Sequence, residues 1–243
     1  MADFPPIDAA FTEPNDYRVP REYLKELAKF HGNHTYPYTW GFVIFRTVYT
    51  YGSDEAFAKA LERLDAYARY EAYQDLRSKF YHEAPRDPAV NQELFRRYYN
   101  VILEDKDKLA NASVDEVGKR FDAWIESNLT AEATKQRDPR LNCRFRYCVM
   151  MDQQSIDNIL ALPEDPDTSP YDDPQKLDRW IKLVSSEQRP DGRFWLRVGV
   201  DGLLWAFWFG SEDPDNLIEE VAWEDEVDGV LNYWGNALQG FHV

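Results

Sequence analysis

The stretch from Arg193 to Phe209, RFWLRVGVDGLLWAFWF, constrains the fold more than any other part of the chain. An Asp-Gly pair between apolar runs is the strongest short-range hairpin signal, because a type I′ turn needs positive φ at both central positions. Asp201-Gly202 therefore predicts two strands with Val200 opposite Leu203. In that register one face carries Val198/Trp205, Leu196/Phe207 and Phe194/Phe209, and the other carries Trp195/Trp208, Arg197/Ala206 and Gly199/Leu204. Both faces are apolar or aromatic, so the ribbon belongs inside a sheet or under a cover. The competing reading makes Leu203 to Phe209 one turn of buried helix, since periodicity does not arbitrate so short an apolar run.

The chain has the material for such a core. Of its 243 residues, 44% are hydrophobic and 15% aromatic, too many for disorder, and the length fits one large domain or two small ones. Its longest apolar runs fall far short of the ~20 residues that a membrane span needs. The opening MADFPPIDAAFTEPND is acidic and lacks the basic and apolar regions of a signal peptide, so a cytoplasmic location is expected. A net charge of −16 repels phosphate backbones and anionic membranes, which argues against nucleic-acid and membrane partners. Cys143 and Cys148 fall on opposite faces of one predicted strand and read as reduced, buried thiols. The Asn-x-Ser/Thr triplets at Asn33, Asn111 and Asn128 read as chance matches in a chain without a secretion signal.

Read in order, residues 1 to 19 form a surface arm anchored by Phe4, Ile7 and Phe11. Pro20 near N1, with Tyr23, Leu24, Leu27 and Phe30 as a stripe and Gly32 at C′, predicts a first helix. Trp40 to Tyr49 predicts a long central strand. Ser53 caps a helix over 54–73 whose buried stripe is Phe57, Ala60, Leu61, Leu64 and Ala68. A second strand is expected over Arg97 to Glu104, and a Ser113/Glu116 capping box opens a helix that buries Val114, Val117, Phe121, Trp124 and Ile125. Cys143 to Met151 predicts a third strand and Ser155 to Leu162 a short helix. Asp173-Pro174 starts a further helix with Leu177, Trp180, Ile181 and Val184 inward. The tail over 211–243 is an acidic extension in which Leu217, Ile218 and Val221 suggest helical turns. The expected architecture is one α+β domain over 1–243: a single mixed sheet of strand-helix units, ferredoxin-like in the order of the first two, with a C-terminal β-hairpin and helices packed on the sheet.

Three stretches also carry a resemblance. YTWGFVIFRTVYTYGSDEAF, LNCRFRYCVMMDQQSIDNIL and GRFWLRVGVDGLLWAFWFG, in this order, resemble a large set of uncharacterised cytosolic proteins from filamentous fungi, over roughly 40–209 of the chain. The likeness rests on strand and cap residues and not on a chemical motif. It implies a cytosolic fungal origin and no particular activity.

No catalytic signature is present. His31 and His34 stand three apart, a zinc-ligand spacing, but Gly32 between them ends the predicted helix, and four histidines with two unclustered cysteines make no complete metal shell. There is no G-x-S-x-G elbow, and no histidine lies near either cysteine in sequence. Acidic pairs such as Glu104-Asp105 and Asp172-Asp173 read as solvated or capping carboxylates.

The arginines carry the functional expectation. Each predicted strand unit has at least one: Arg46, Arg97, Arg144 with Arg146, and Arg193 with Arg197. If the strands are neighbours, Arg144, Arg146 and Arg197 converge beside Trp195 and Trp208, a place suited to a carboxylate or phosphate on a flat apolar body. The plain alternative pairs each arginine with a carboxylate from a covering helix, in a chain of 44 acidic and 28 basic residues. Likewise Trp40, Trp195, Trp205, Trp208, Trp223 and Trp234 either fill the core or line a cavity. The expected function is non-enzymatic binding, without cofactor or metal, of an anionic aromatic small molecule or a protein partner. The alternative is a cofactor-independent isomerase, cyclase or hydrolase using Asp152 or His34 as its acid or base.

Overall fold

The computed structural model describes residues 4–14, 18–29, 35–77, 86–129, 143–168, 178–189, 192–200, 226–227 and 230–233. Its centre is β1 (Val43–Arg46), cut from the aromatic and β-branched run and buried at every position. β1 lies parallel between β2 (Val101–Leu103) and β3 (Tyr147–Met151), so that Val43 pairs with Val101 on one edge and Cys148 on the other. β4 (Trp180–Arg189) runs antiparallel to β3, and β5 (Gly192–Gly199) antiparallel to β4. β7 (Val230–Tyr233) lies parallel to β5, with β6 (Glu226–Val227) antiparallel beyond it. Among the described residues the sheet order is β2-β1-β3-β4-β5-β7-β6. The expected α+β class, one mixed sheet with helices packed on it, is the observed one.

Helices cover both faces, for a topological reason. The chain leaves β1 for β2 through α3 (Ser53–Ala72), α4 (Gln74–Arg77) and α5 (Ala89–Arg96), then crosses back over β1 to β3 through α6 (Lys106–Leu109) and α7 (Val114–Asn128). Right-handed crossovers in opposite directions place their helices on opposite faces. Phe57, Ala60, Leu64, Tyr67 and Ala68 of α3 thus join Ile44, Val149, Leu183 and Leu196 in one core. Val117, Phe121, Trp124 and Ile125 of α7 join Val43, Phe45, Cys148 and Val184 in the other.

The caps follow the sequence closely. At α7 the Ser113 hydroxyl accepts from Glu116 N at 3.3 Å, and Glu116 Oε2 accepts from Ser113 N at 2.7 Å, a complete capping box. At α3 the expected cap shifts by one residue. Gly52, with φ +78°, holds the N-cap position, while the Ser53 hydroxyl, inside the first turn, donates to Thr50 O at 2.7 Å. Gly41 (φ +120°) is needed for a close approach, since a Cβ there would lie 2.6 Å from Tyr99 O.

The described part of the N-terminal segment, residues 4–14 with the short helix α1 (Ala9–Thr12), packs against the body of the chain. Phe4 contacts the Tyr99 ring at 5.8 Å, and Ile7 and Phe11 pack on the core. Two buried arginines hold it by its carbonyls: Arg97 Nη1 donates to Pro5 O at 2.5 Å, and Arg21 Nη1, from α2 (Val19–Lys29), donates to Phe11 O at 2.8 Å.

Four local expectations are corrected. Trp180, Ile181 and Val184 lie in β4 and not in a helix; Ile181 and Leu183 enter one core and Val184 the other, the alternation of a strand. The hairpin partner of β5 is upstream, not downstream. Arg197 and Val198 pair with Lys182 and Ile181 on one edge and with Asn232 and Tyr233 on the other, so both edges of β5 are filled at this point. The third strand begins at Tyr147, because Cys143–Arg146 forms one helical turn, α8. The second strand begins at Val101, since Arg97 N still donates to Leu94 O at 3.1 Å and extends the last turn of α5. Asp201-Gly202, Leu203 to Phe209 and the tail residues Leu217, Ile218 and Val221 lie outside the described residues, as does Gly32.

Candidate functional site: a cation pair on the face of β4 and β5

In the antiparallel pair β4–β5, Lys182 stands directly opposite Arg197, and Ile181 opposite Val198. Alternation sends Ile181, Leu183, Leu196 and Val198 into the core under α3, and sends Trp180, Lys182, Trp195 and Arg197 to the face that α7 partly covers. All four of these are half-buried. Two like charges directly opposite across a strand pair destabilise it. Each is offset by an indole: the Arg197 guanidinium lies 4.7 Å from the Trp180 ring centre, and Lys182 Nζ lies 5.7 Å from that of Trp195. Such contacts contribute about 0.5–2 kcal/mol depending on desolvation.

Asp152 completes the group. Its Oδ2 accepts from Lys182 Nζ, while its Oδ1 caps α9 (Gln153–Leu160) by accepting from Ser155 N at 2.9 Å and from the Ser155 hydroxyl at 2.8 Å. Both carboxylate oxygens are therefore engaged, which leaves this group poorly placed to act as a general base. Asp152 follows the carboxyl end of β3, and the helix it caps packs with α3 on the same face of the sheet.

Arg46, at the carboxyl end of β1, lies on the opposite, α3-covered face of the sheet and is closed. It donates to Glu104 at 2.8 Å, to Val48 O at 2.8 Å and to Asp54, between the rings of Tyr49 and Phe57. Arg97 is taken by Glu93 at 2.6 Å, and Arg193 by Asp122 at 2.6 Å. The plain alternative for the strand arginines, a carboxylate partner each, holds for these three.

The expected convergence of Arg144, Arg146 and Arg197 does not form. Arg144 is fully buried near the amino ends of β1 and β2, donating to Tyr99 O at 2.8 Å and to Thr39 Oγ1 at 3.3 Å, with its guanidinium 5.2 Å from the Tyr36 ring. Burial lowers its pKa to about 10 against the pull of Tyr36, so it stays charged at neutral pH. Arg146 lies against Tyr147 at 5.6 Å. Arg197 stands two strands away from β3, level with Met150 near that strand's carboxyl end, and the helical turn of α8 takes the other two arginines out of its row. Of the expected site residues, Arg197 and Trp195 share a face as read. Trp208, His31 and His34 lie outside the described residues.

Two members, Trp180 and Lys182, were missed because they were read as helix. The signal was present: Arg189-Pro190-Asp191-Gly192 has the x-P-D-G-x turn pattern, and Arg189 pairs with Gly192. Among the described residues no three His, Cys, Asp or Glu side chains gather as metal ligands, and no helix is long and apolar enough to cross a membrane. No family model, no curated protein and no solved structure matches the chain.

Proposed function

We propose that this chain is a non-enzymatic, cytoplasmic binding protein, akin to the filamentous-fungal set it resembles, and that it takes a flat aromatic anion on the face of β4 and β5. The observation that carries this reading is the direct opposition of Lys182 and Arg197, each set against an indole. Stacking occupies the face of a guanidinium and keeps its N–H groups in plane, the geometry that grips a carboxylate side-on. An aromatic ring carried by that carboxylate finds Trp195 and Trp180 beside it.

Charge favours a small ligand over an acidic protein surface. Lys182 and Arg197 beside Asp152 make a small cationic spot among the described residues of a chain of net −16, so an extended polyanion would leave it for repulsive surface. The test is titration with benzoate and indole-3-carboxylate while following tryptophan fluorescence, in wild type and in Arg197→Gln and Lys182→Gln variants. Saturable quenching that weakens about tenfold in either variant is expected, as for loss of one charge-assisted contact. Quenching absent across both probes, or indifferent to both substitutions, would sink the reading.

A further inference from the structure

We propose a second anion site, under the N-terminal arm, that takes a small organic phosphate. A cavity of about 460 Å³ lies between the arm, the start of α2 and the start of α5. Such a volume suits a compact ligand of drug-like size or smaller. Its walls include Arg18, Arg21 and Arg86, with Phe11 and Val90 supplying apolar surface.

The three guanidiniums play different parts. Arg18 is buried and fixed, donating to Asp75 at 3.1 Å, Asp87 O at 2.7 Å and Asn91 at 2.6 Å. It sets the field and frames the wall. Arg21 is buried and tied to the arm through Ala10 O at 3.2 Å and Phe11 O at 2.8 Å. Arg86 is the most accessible of the three and donates through Nη1 to Asp75 at 3.2 Å. Against these stand Asp75, shared between Arg18 and Arg86, and Asp87, whose Oδ1 caps Ala89 N at 2.9 Å. Among the described residues three guanidiniums and the carboxylates of Asp75 and Asp87 meet here, in a chain whose net charge is −16.

The opening turn of α5 also faces the cavity. Ala89 and Val90, its first two residues, line it; Asp87 Oδ1 takes Ala89 N, and Pro88 at the N-cap position offers no side-chain acceptor to the N–H groups that follow. The positive end of a helix dipole therefore joins the arginines. Donors arriving from α2, from the 86–88 segment and from α5 converge from different directions. A tetrahedral phosphate presents oxygens to all of them, whereas a planar carboxylate meets only those in its plane. The organic body then lies against Phe11 and Val90.

The experiment is calorimetric titration of phenyl phosphate into wild type, Arg86→Gln, Arg86→Lys and Arg197→Gln, with inorganic phosphate and benzoate as comparison ligands. Wild type is expected to bind phenyl phosphate more tightly than inorganic phosphate or benzoate, and Arg197→Gln, which lacks the β4–β5 contact, to keep one such site per chain. Arg86→Gln should weaken binding about tenfold, with partial recovery in Arg86→Lys, which keeps the charge if the glutamine variant folds poorly. Absence of binding, affinity indifferent to Arg86→Gln, or binding lost in Arg197→Gln would overturn the proposal. The last result would place the anion on the β4–β5 face instead, so the two sites are separable.

Discussion

Gly118 of α7 lies directly on the Arg193 side chain of β5: a Cβ at position 118 would stand 2.8 Å from Arg193 Cδ and 2.9 Å from its Cζ. The contact is held from three sides. Asp122, one turn along α7, takes the guanidinium through both oxygens, at 2.6 and 3.2 Å. Asp115, in the first turn, accepts from Arg193 N at 3.0 Å, and Arg193 Nη1 donates to Ser186 O at 2.9 Å. A mid-helix glycine costs about 1 kcal/mol of helix propensity, and here its absent side chain is what seats α7 on the sheet.

Gly118→Ala should therefore destabilise the protein by about 1–3 kcal/mol despite the better helix former, because overpacking displaces Arg193 from Asp122. Urea unfolding of the variant checks this. A gain in stability would mean that α7 is not seated on Arg193.

Glu93 gives a pH prediction. Burial by itself raises its pKa, but hydrogen bonds from Arg96 and Arg97 outweigh burial and hold it below the ordinary carboxylate value of 4.5. A depressed folded pKa contributes stability that is complete above the unfolded value and is lost as pH falls through the folded one. Glu93→Gln should cost roughly 1–3 kcal/mol at neutral pH, and its gap from wild type should begin to close only below about pH 4.5. A gap that stays constant down to pH 2 would contradict this.

Neither cysteine should react in the native state. Cys143 and Cys148 are both fully buried, in separate cores, and burial pushes the Cys148 thiol well above its ordinary range. Labelling by a thiol reagent at pH 8 should follow global unfolding, accelerating with denaturant. Rapid stoichiometric labelling in buffer would show that one of the cores opens locally.

The arm should detach when Arg97 is lost. That side chain bridges Glu93 to Pro5 O and Pro6 O, so Arg97→Met leaves Glu93 with Arg96 alone, at about 1–3 kcal/mol, and releases residues 4–7. Limited proteolysis should cut the variant within the first 14 residues while wild type resists. Equal resistance would mean that Phe4, Ile7 and Phe11 suffice to hold the arm.

What could be read from the sequence depended on how local the governing interaction is. The Ser113/Glu116 box, the stripes of α3 and α7, Tyr23, Leu24 and Leu27 of α2, and the contacts of Phe4, Ile7 and Phe11 are set by neighbours within a turn or by one apolar face, and they appear as read, while Phe30 lies outside the described residues. The strand at Arg193 was recognised, but its partner was assigned from the stronger-looking Asp-Gly turn, when Trp180-Ile181-Lys182-Leu183-Val184 was available upstream. Five residues of mixed polarity fit one helical stripe or one strand alternation equally well, and only the β3 edge decides between them. The same error hid Lys182 and Trp180 from the expected site. Arg144 and Arg146 were misplaced for a related reason: α8 turns the chain through a helical step just before β3, and a run rich in arginine and aromatics carries no mark of it.

The placement of β1 bears on how the chain acquires its structure. Both edges of this strand are filled from far along the sequence, by residues near 101 and near 148, whereas β4 and β5 are separated by two residues. Closing long loops precedes any reward from distant pairing, so such contacts come late. The β4–β5 ribbon should accordingly be the nucleus, with φ-values near one for Leu183 and Leu196 and near zero for Ile44, and the most deeply enclosed strand of the finished protein would be the last to find its neighbours.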